Sequence, residues 1–185
     1  MMDPGKPPVT RKQRLFLALE ADALVQAQLA AHAQQWTWPA GCAACQPADW
    51  HITLHFIGAV DADRVQQLAA GVAVPFQPFE LVLDQPLLWP HGLAILGATV
   101  VPAPLRALYE RLGDALRRLD VPVENRPYQP HVTLARHAGA AIAPATIPVR
   151  RLNRPSPIRN TPAQTSEPRT IWISRAAIID PPVRK

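Results

Sequence analysis

Cysteine is nearly absent from this chain: 185 residues hold two, Cys42 and Cys45. A small secreted domain held by disulfides would carry more, so a reducing, cytoplasmic setting is expected. Long apolar runs are also missing. None approaches the roughly 20 residues that cross a bilayer, so no membrane partner is expected. The opening stretch MMDPGKPPVTRKQR lacks the apolar centre of a secretory signal. Clusters with metal-ligand spacing are absent as well. Cys42-Ala-Ala-Cys45 has no second pair and sits in an Ala/Gly/Pro loop, which makes these cysteines incidental. His51 and His55 could share an ion on a helix, but on a strand they stand about 13 Å apart. No metal and no cofactor are expected.

Apolar residues make up 48% of the chain, enough to exclude a disordered protein and to build one domain with a real core. The net charge of +5 is uneven. Residues 1–139 hold 11 Lys and Arg against 12 Asp and Glu, a net of −1, while residues 140–185 hold 8 against 2, a net of +6. Eight of the 22 prolines also lie in that last segment. Three regions follow: a flexible leader at 1–12, a folded domain at 13–138, and a divergent Pro/Arg-rich segment at 139–185. Within the last, 140–170 is expected to pack poorly and 170–179 to hold one strand.

The folded region repeats. Residues 14–19 read as a buried strand, 21–35 as an alanine-rich helix, and 51–57 as a strand closed by Gly58. Residues 61–71 suggest a helix capped by Asp61, with Val65, Leu68 and Ala69 on one face. Short strands follow at 79–83 and 87–89. Residues 92–101 then read as a strand pair or one long strand, 104–119 as a helix striped by Leu105, Leu108, Leu112, Leu116 and Leu119, and 128–136 as strand. Two strand-helix-strand units result, and each ends in H-x-T-L, at His51–Leu54 and at His131–Leu134. The expected fold class is α+β: bilobal, with duplicated β-α-β units, antiparallel sheets around a central cleft, and helices outside.

Strand alternation gives the repeat its chemistry. His51, Thr53 and His55 point one way, and Ile52, Leu54 and Phe56 the other; His131 and Thr133 likewise share a face. If the two strands lie side by side, two imidazoles and two hydroxyls converge. Imidazoles titrate near neutral pH, so one can accept a proton while the other donates one. Hydroxyls can donate to the non-bridging oxygens of a phosphate and stabilise charge building there. Together these groups suit hydrolysis of a phosphodiester without a metal.

These motifs, with RLFLAL at 14–19, DWHITLHFIG at 49–58 and RPYQPHVTLAR at 126–136, resemble the two-histidine phosphoesterases. Within them the flanks are similar to the RNA 2′,3′-cyclic phosphodiesterases, also called 2′-5′ RNA ligases (LigT-like). The resemblance implies hydrolysis of a terminal 2′,3′-cyclic phosphate to a 2′-phosphomonoester, with His51 as proton donor, His131 as proton acceptor, and Thr53 and Thr133 as phosphate binders. It also implies that Arg136 approaches a phosphate or holds the strand edge. Phe16, Trp38, Trp89 and Tyr128 are candidate base-stacking aromatics, though core burial would also account for each. His55 stands where the family has a small or apolar residue, and is expected at the cleft mouth or in solvent. The implied partners are RNA ends bearing a cyclic phosphate, or small cyclic nucleotides, met by a monomer. Sister activities on 2′-5′ linkages, including ligation, and a non-catalytic RNA-end-binding module are the alternatives.

Overall fold

The computed structural model describes residues 12–145, together with the strand backbone at 150–152 and 173–175. Strand β1 (Lys12–Glu20) leads into helix α1 (Ala23–Ala33). Asp22 starts α1, its carboxylate accepting from the Val25 amide at 2.8 Å. A short strand β2 (Ala43–Ala44) interrupts the expected loop and precedes β3 (His51–Asp61), α2 (Val65–Gly71), β4 (Leu81–Leu83), β5 (Gln85–Trp89) and β6 (Leu93–Gly97). Helix α3 (Ala103–Arg118) and β7 (His131–Arg136) complete the second unit, and β8 (Arg150–Leu152) and β9 (Ile173–Arg175) follow.

Among the described residues, seven strands form one antiparallel sheet in the order β5-β6-β7-β3-β1-β9, with β2 added beside β7. The fold is therefore α+β, as expected. Each strand-helix-strand unit closes on itself: β1 pairs with β3, and β6 with β7. The two units meet in the middle of the sheet, where β3 and β7 pair only at Ile52 and Val132. Strand β9 extends the first unit beyond β1, and β8 pairs with β4 as a separate ribbon.

Helix α3 is amphipathic in the expected sense. Leu105, Leu108, Leu112 and Leu116 of α3 are all buried, each worth about 1.5–3 kcal/mol relative to exposure. Leu119, the last of the stripe, is only partly buried and packs at the margin of the core. On α1 the buried face is Val25, Leu29 and His32. Trp36 donates from its indole N–H to His32 Nε2 at 3.2 Å and stacks on Trp38 at 5.1 Å. Trp38 thus belongs to the α1 shoulder.

Several boundaries move. Lys12, assigned to the leader, is the first residue of β1, and residues 1–11 lie outside those described. Asp61 is the last residue of β3 and caps nothing; a single 3₁₀ turn (Ala62–Arg64) stands between it and α2. Ala69 faces solvent, so α2 holds to the core chiefly through Leu68. The second motif strand starts at His131, because Pro127 and Pro130 withhold amides from the ladder. Expectations for 140–170 fall largely outside the described residues, although Ala141 is buried and Ile142 exchanges two 3.0 Å backbone bonds with Thr37.

Candidate active site

The single Ile52–Val132 pairing sets the geometry of the site. Both side chains are buried beneath the sheet. Continuing that antiparallel register by one residue each way sets His51 opposite Thr133 and Thr53 opposite His131 on the other face. All four residues are partly exposed there. Opposite side chains start about 5 Å apart and the two histidines on the diagonal about 7–8 Å, which leaves room for a phosphate between the imidazoles. The two motifs, eighty positions apart in the chain, are thus brought together by one bridge.

Each histidine is oriented in the same way. His51 Nδ1 lies 2.6 Å from the Asp49 carbonyl, and His131 Nδ1 lies 2.8 Å from the Gln129 carbonyl, each two residues upstream. A carbonyl oxygen can only accept, so Nδ1 carries the proton in both rings. Nε2 is left as the nitrogen for chemistry: a lone pair when neutral, a donor when charged. One aromatic ring flanks each imidazole. Phe16 stacks on His51 at 4.8 Å, and Trp89 tilts against His131 at 4.4 Å.

The environment of His131 also lowers its proton affinity. Burial is the largest cause, and the charges of Arg126 and His51 add to it, while the bond to Gln129 opposes them. Its pKa therefore falls below the ordinary histidine value, which keeps the ring neutral near pH 7. Arg126→Gln removes one of the depressing charges, so the His131 pKa is expected to rise. A proton-NMR titration of the His131 ring would show it; an unchanged or lower value would exclude Arg126 as a contributor.

Strict alternation fails just after each motif. Pairing with β1 skips Leu54, running Ala18 to Thr53 and then Leu17 to His55. This bulge turns His55 through the sheet, away from the His51 face. His55 is 4% exposed, donates from Nε2 to the Tyr109 carbonyl of α3 at 2.8 Å and stacks on the Tyr109 ring at 4.1 Å. It is neither at the cleft mouth nor in solvent. Phe56, expected on the core face, instead takes the outward place expected of His55, pairing with Phe16 at 51% exposure. The second motif repeats the device. Pairing with β6 skips Leu134, so Leu134 and Ala135 are both buried and Arg136 returns exposed to the His131 face. Arg136 also pairs through its backbone with Ala43 of β2, and its charge lies close enough to Cys45 to act on that thiol.

An open cleft adjoins two of the four motif residues, Thr53 and His131. Thr53, His131, Phe56, Trp89 and Tyr128 line it, together with Tyr109, Glu124 and Arg126. The last three went unremarked as site residues in the sequence. Glu124 and Arg126 form an exposed ion pair at 2.6 Å on the lip. The available signal was their place just upstream of the second motif. Tyr109 had none, since on α3 it reads as ordinary helix filler. Tyr128 stacks on Tyr109 at 4.1 Å, and its hydroxyl is buried with no partner among the described residues. Burial raises its pKa, so the phenol stays protonated.

Comparison with known proteins points the same way. Residues 23–166 match the 2'-5' RNA ligase superfamily. The RNA 2',3'-cyclic phosphodiesterase of Escherichia coli (strain K12) is 32% identical over 143 residues, covering 76% of this chain and 79% of that protein. The crystal structure of E. coli LigT in apo form superposes with a TM-score of 0.63 at 28% identity, covering 75% of this chain and 78% of LigT. The LigT complex with 3'-AMP gives 0.62 at 27% identity, covering 76% and 79%.

Proposed function

The chain belongs to the 2'-5' RNA ligase superfamily, and from that premise we propose that it hydrolyses RNA 2′,3′-cyclic phosphate ends to 2′-phosphomonoesters. In this reading His131 Nε2 takes a proton from water as the water oxygen bonds to phosphorus. The bond from phosphorus to the ribose 3′ oxygen breaks, and His51 Nε2 gives that oxygen a proton. Thr53 and Thr133 donate to the non-bridging oxygens, and Arg136, returned to the same face, adds positive charge at its edge. Phe16 and Trp89 hold the two imidazoles and are placed to meet the nucleoside.

One observation supports the reading: the Ile52–Val132 pairing joins the two motif strands, and the histidine beside each of these residues has its Nδ1 committed to a carbonyl. Binding alone requires no such paired tautomers. The lowered pKa of His131 also supports the direction of proton flow, since a base must be neutral when substrate arrives. A 3'-AMP complex is known for the E. coli relative, which supports nucleotide-sized ligands beside RNA ends. The proposed setting is a monomer in the cytoplasm, where Cys42 and Cys45 stay free thiols.

The test is turnover of an oligoribonucleotide ending in a 2′,3′-cyclic phosphate, after EDTA treatment, with the product read by phosphorus NMR. A 2′-phosphate formed at an undiminished rate is expected. A 3′-phosphate would reverse the placement of the leaving oxygen. Tight binding without turnover would make the protein an RNA-end-binding module, and activity lost with EDTA would bring a metal into the mechanism.

A further inference from the structure

The approach to His131 is bare. From Glu124 to Gln129 the chain has neither helix nor strand, and every residue but Tyr128 is exposed. This same stretch supplies the Gln129 carbonyl that orients the His131 ring. The flanking prolines restrict it: Pro130 confines Gln129 to extended conformations, and Pro127 fixes its own φ. Restriction of dihedrals does not attach a loop to the protein, however. The Tyr128 side chain is the part of this stretch that reaches inward, and it lands on the ring of Tyr109 at 4.1 Å with planes 17° apart. Tyr109 in turn rests on His55 at 4.1 Å with planes 20° apart, and the His55 ring holds the Tyr109 carbonyl at 2.8 Å. Beyond His55 the packing continues into α3, where Gly113 lies against the imidazole edge: a Cβ there would stand 3.4 Å from His55 Cε1.

We propose that His55, Tyr109 and Tyr128 form a positioning column, anchored in β3 and α3, that holds the Gln129 carbonyl in place and thereby fixes the tautomer and ring angle of His131. The first motif needs no such device. Its orienting carbonyl, on Asp49, sits in a 3₁₀ turn directly beside Trp50, which is 5% exposed and packed in the core. In the second motif the residue before the histidine is Pro130, which is buried and accepts from the Ala98 amide at 3.2 Å but has no long side chain to reach into the core as Trp50 does. The column takes its place, and it explains a buried imidazole at position 55. A small or apolar side chain there could fill space, but it could not both stack on Tyr109 and donate to its carbonyl.

The inference deepens the proposed reaction and rests on it for any effect on rate, but its primary test needs no substrate. Nitrogen-15 NMR of the full chain reads which ring nitrogen of His131 carries the proton above its pKa. The wild-type protein should show His131 held as the Nδ1–H tautomer. Tyr128→Phe, which keeps the ring and drops only the hydroxyl, should keep that tautomer. Tyr128→Leu and His55→Leu should shift it toward Nε2–H, as free imidazole prefers when no acceptor holds it. Where turnover is measurable, both leucine variants should lose about 10–100-fold in kcat, and His55→Leu, which lies away from the cleft, should do so with KM little changed. His55→Gln, which retains a donor for the Tyr109 carbonyl, should fall between wild type and His55→Leu. Thermal melts establish that each variant is folded. A folded Tyr128→Leu whose His131 tautomer matches wild type would overturn the proposal. A shifted tautomer with no turnover of cyclic phosphate by any form, wild type included, would instead leave the column standing and sink the substrate assignment.

Discussion

Replacing His131 by alanine is expected to lower hydrolysis of a 2′,3′-cyclic phosphate by roughly 10²–10⁴-fold while substrate binding stays close to wild type. His51→Ala should do the same through the other proton. The two losses share a magnitude because each variant removes one proton transfer and leaves the hydroxyl donors in place. They should differ in pH dependence. With both histidines present the rate follows a bell, rising as the base becomes neutral and falling as the acid loses its proton. The rising limb belongs to His131, and its midpoint should lie below that of an ordinary histidine, because burial and the charges of Arg126 and His51 disfavour the imidazolium. His131→Ala should remove that rising limb. Thr53→Ala and Thr133→Ala should each cost less, since each loses one donor to phosphate and no proton path. Steady-state rates from pH 5 to 9 for these four variants would decide the matter. Full activity of either histidine variant would end the acid-base assignment, and a rising limb that survives in His131→Ala would give the base to another group.

The largest effect on stability should come from the joint between the two units. Ile52 and Val132 are 2% and 0% exposed and form the only ladder pairing between β3 and β7 among the described residues. Ile52→Ala removes three carbons from the core beneath the site and should cost about 2–5 kcal/mol in unfolding free energy. For a domain of this size that corresponds to a fall of several degrees or more in Tm. Activity should also drop below what stability alone explains, since among the described residues this is the pair whose ladder bond sets the spacing of the two imidazoles. A control at equal depth but away from the joint is Leu112→Ala on α3, which should cost a similar amount of stability with a smaller loss of kcat at temperatures where both proteins are folded. Denaturant melts paired with kcat for the two variants test this. Equal activity losses at equal destabilisation would mean that the joint has no special role in spacing the histidines.

The sequence alone carried the repeat and its chemistry. Two copies of H-x-T-L at the ends of matching strand-helix-strand units marked the four candidate site residues, because alternation along a strand needs only the identity of consecutive residues. The leucine stripe of α3 was legible for the same reason: a 3.6-residue period is local information. The superfamily was legible too, through those motifs and their flanks.

Long-range pairing decided the rest. Whether β3 and β7 would lie side by side, and with which residues opposed, depends on contacts between segments eighty positions apart. The bulges at Leu54 and Leu134 exist only in the register with β1 and β6, so no reading of the strand by itself could turn His55 inward or bring Phe56 and Arg136 onto the site face. The same holds for the stack of His55, Tyr109 and Tyr128, drawn from a strand, a helix and a loop. Local sequence determined which side chains could do the chemistry. Tertiary pairing decided which of them meet, because the faces of a strand are fixed by its neighbours wherever an extra residue breaks the alternation.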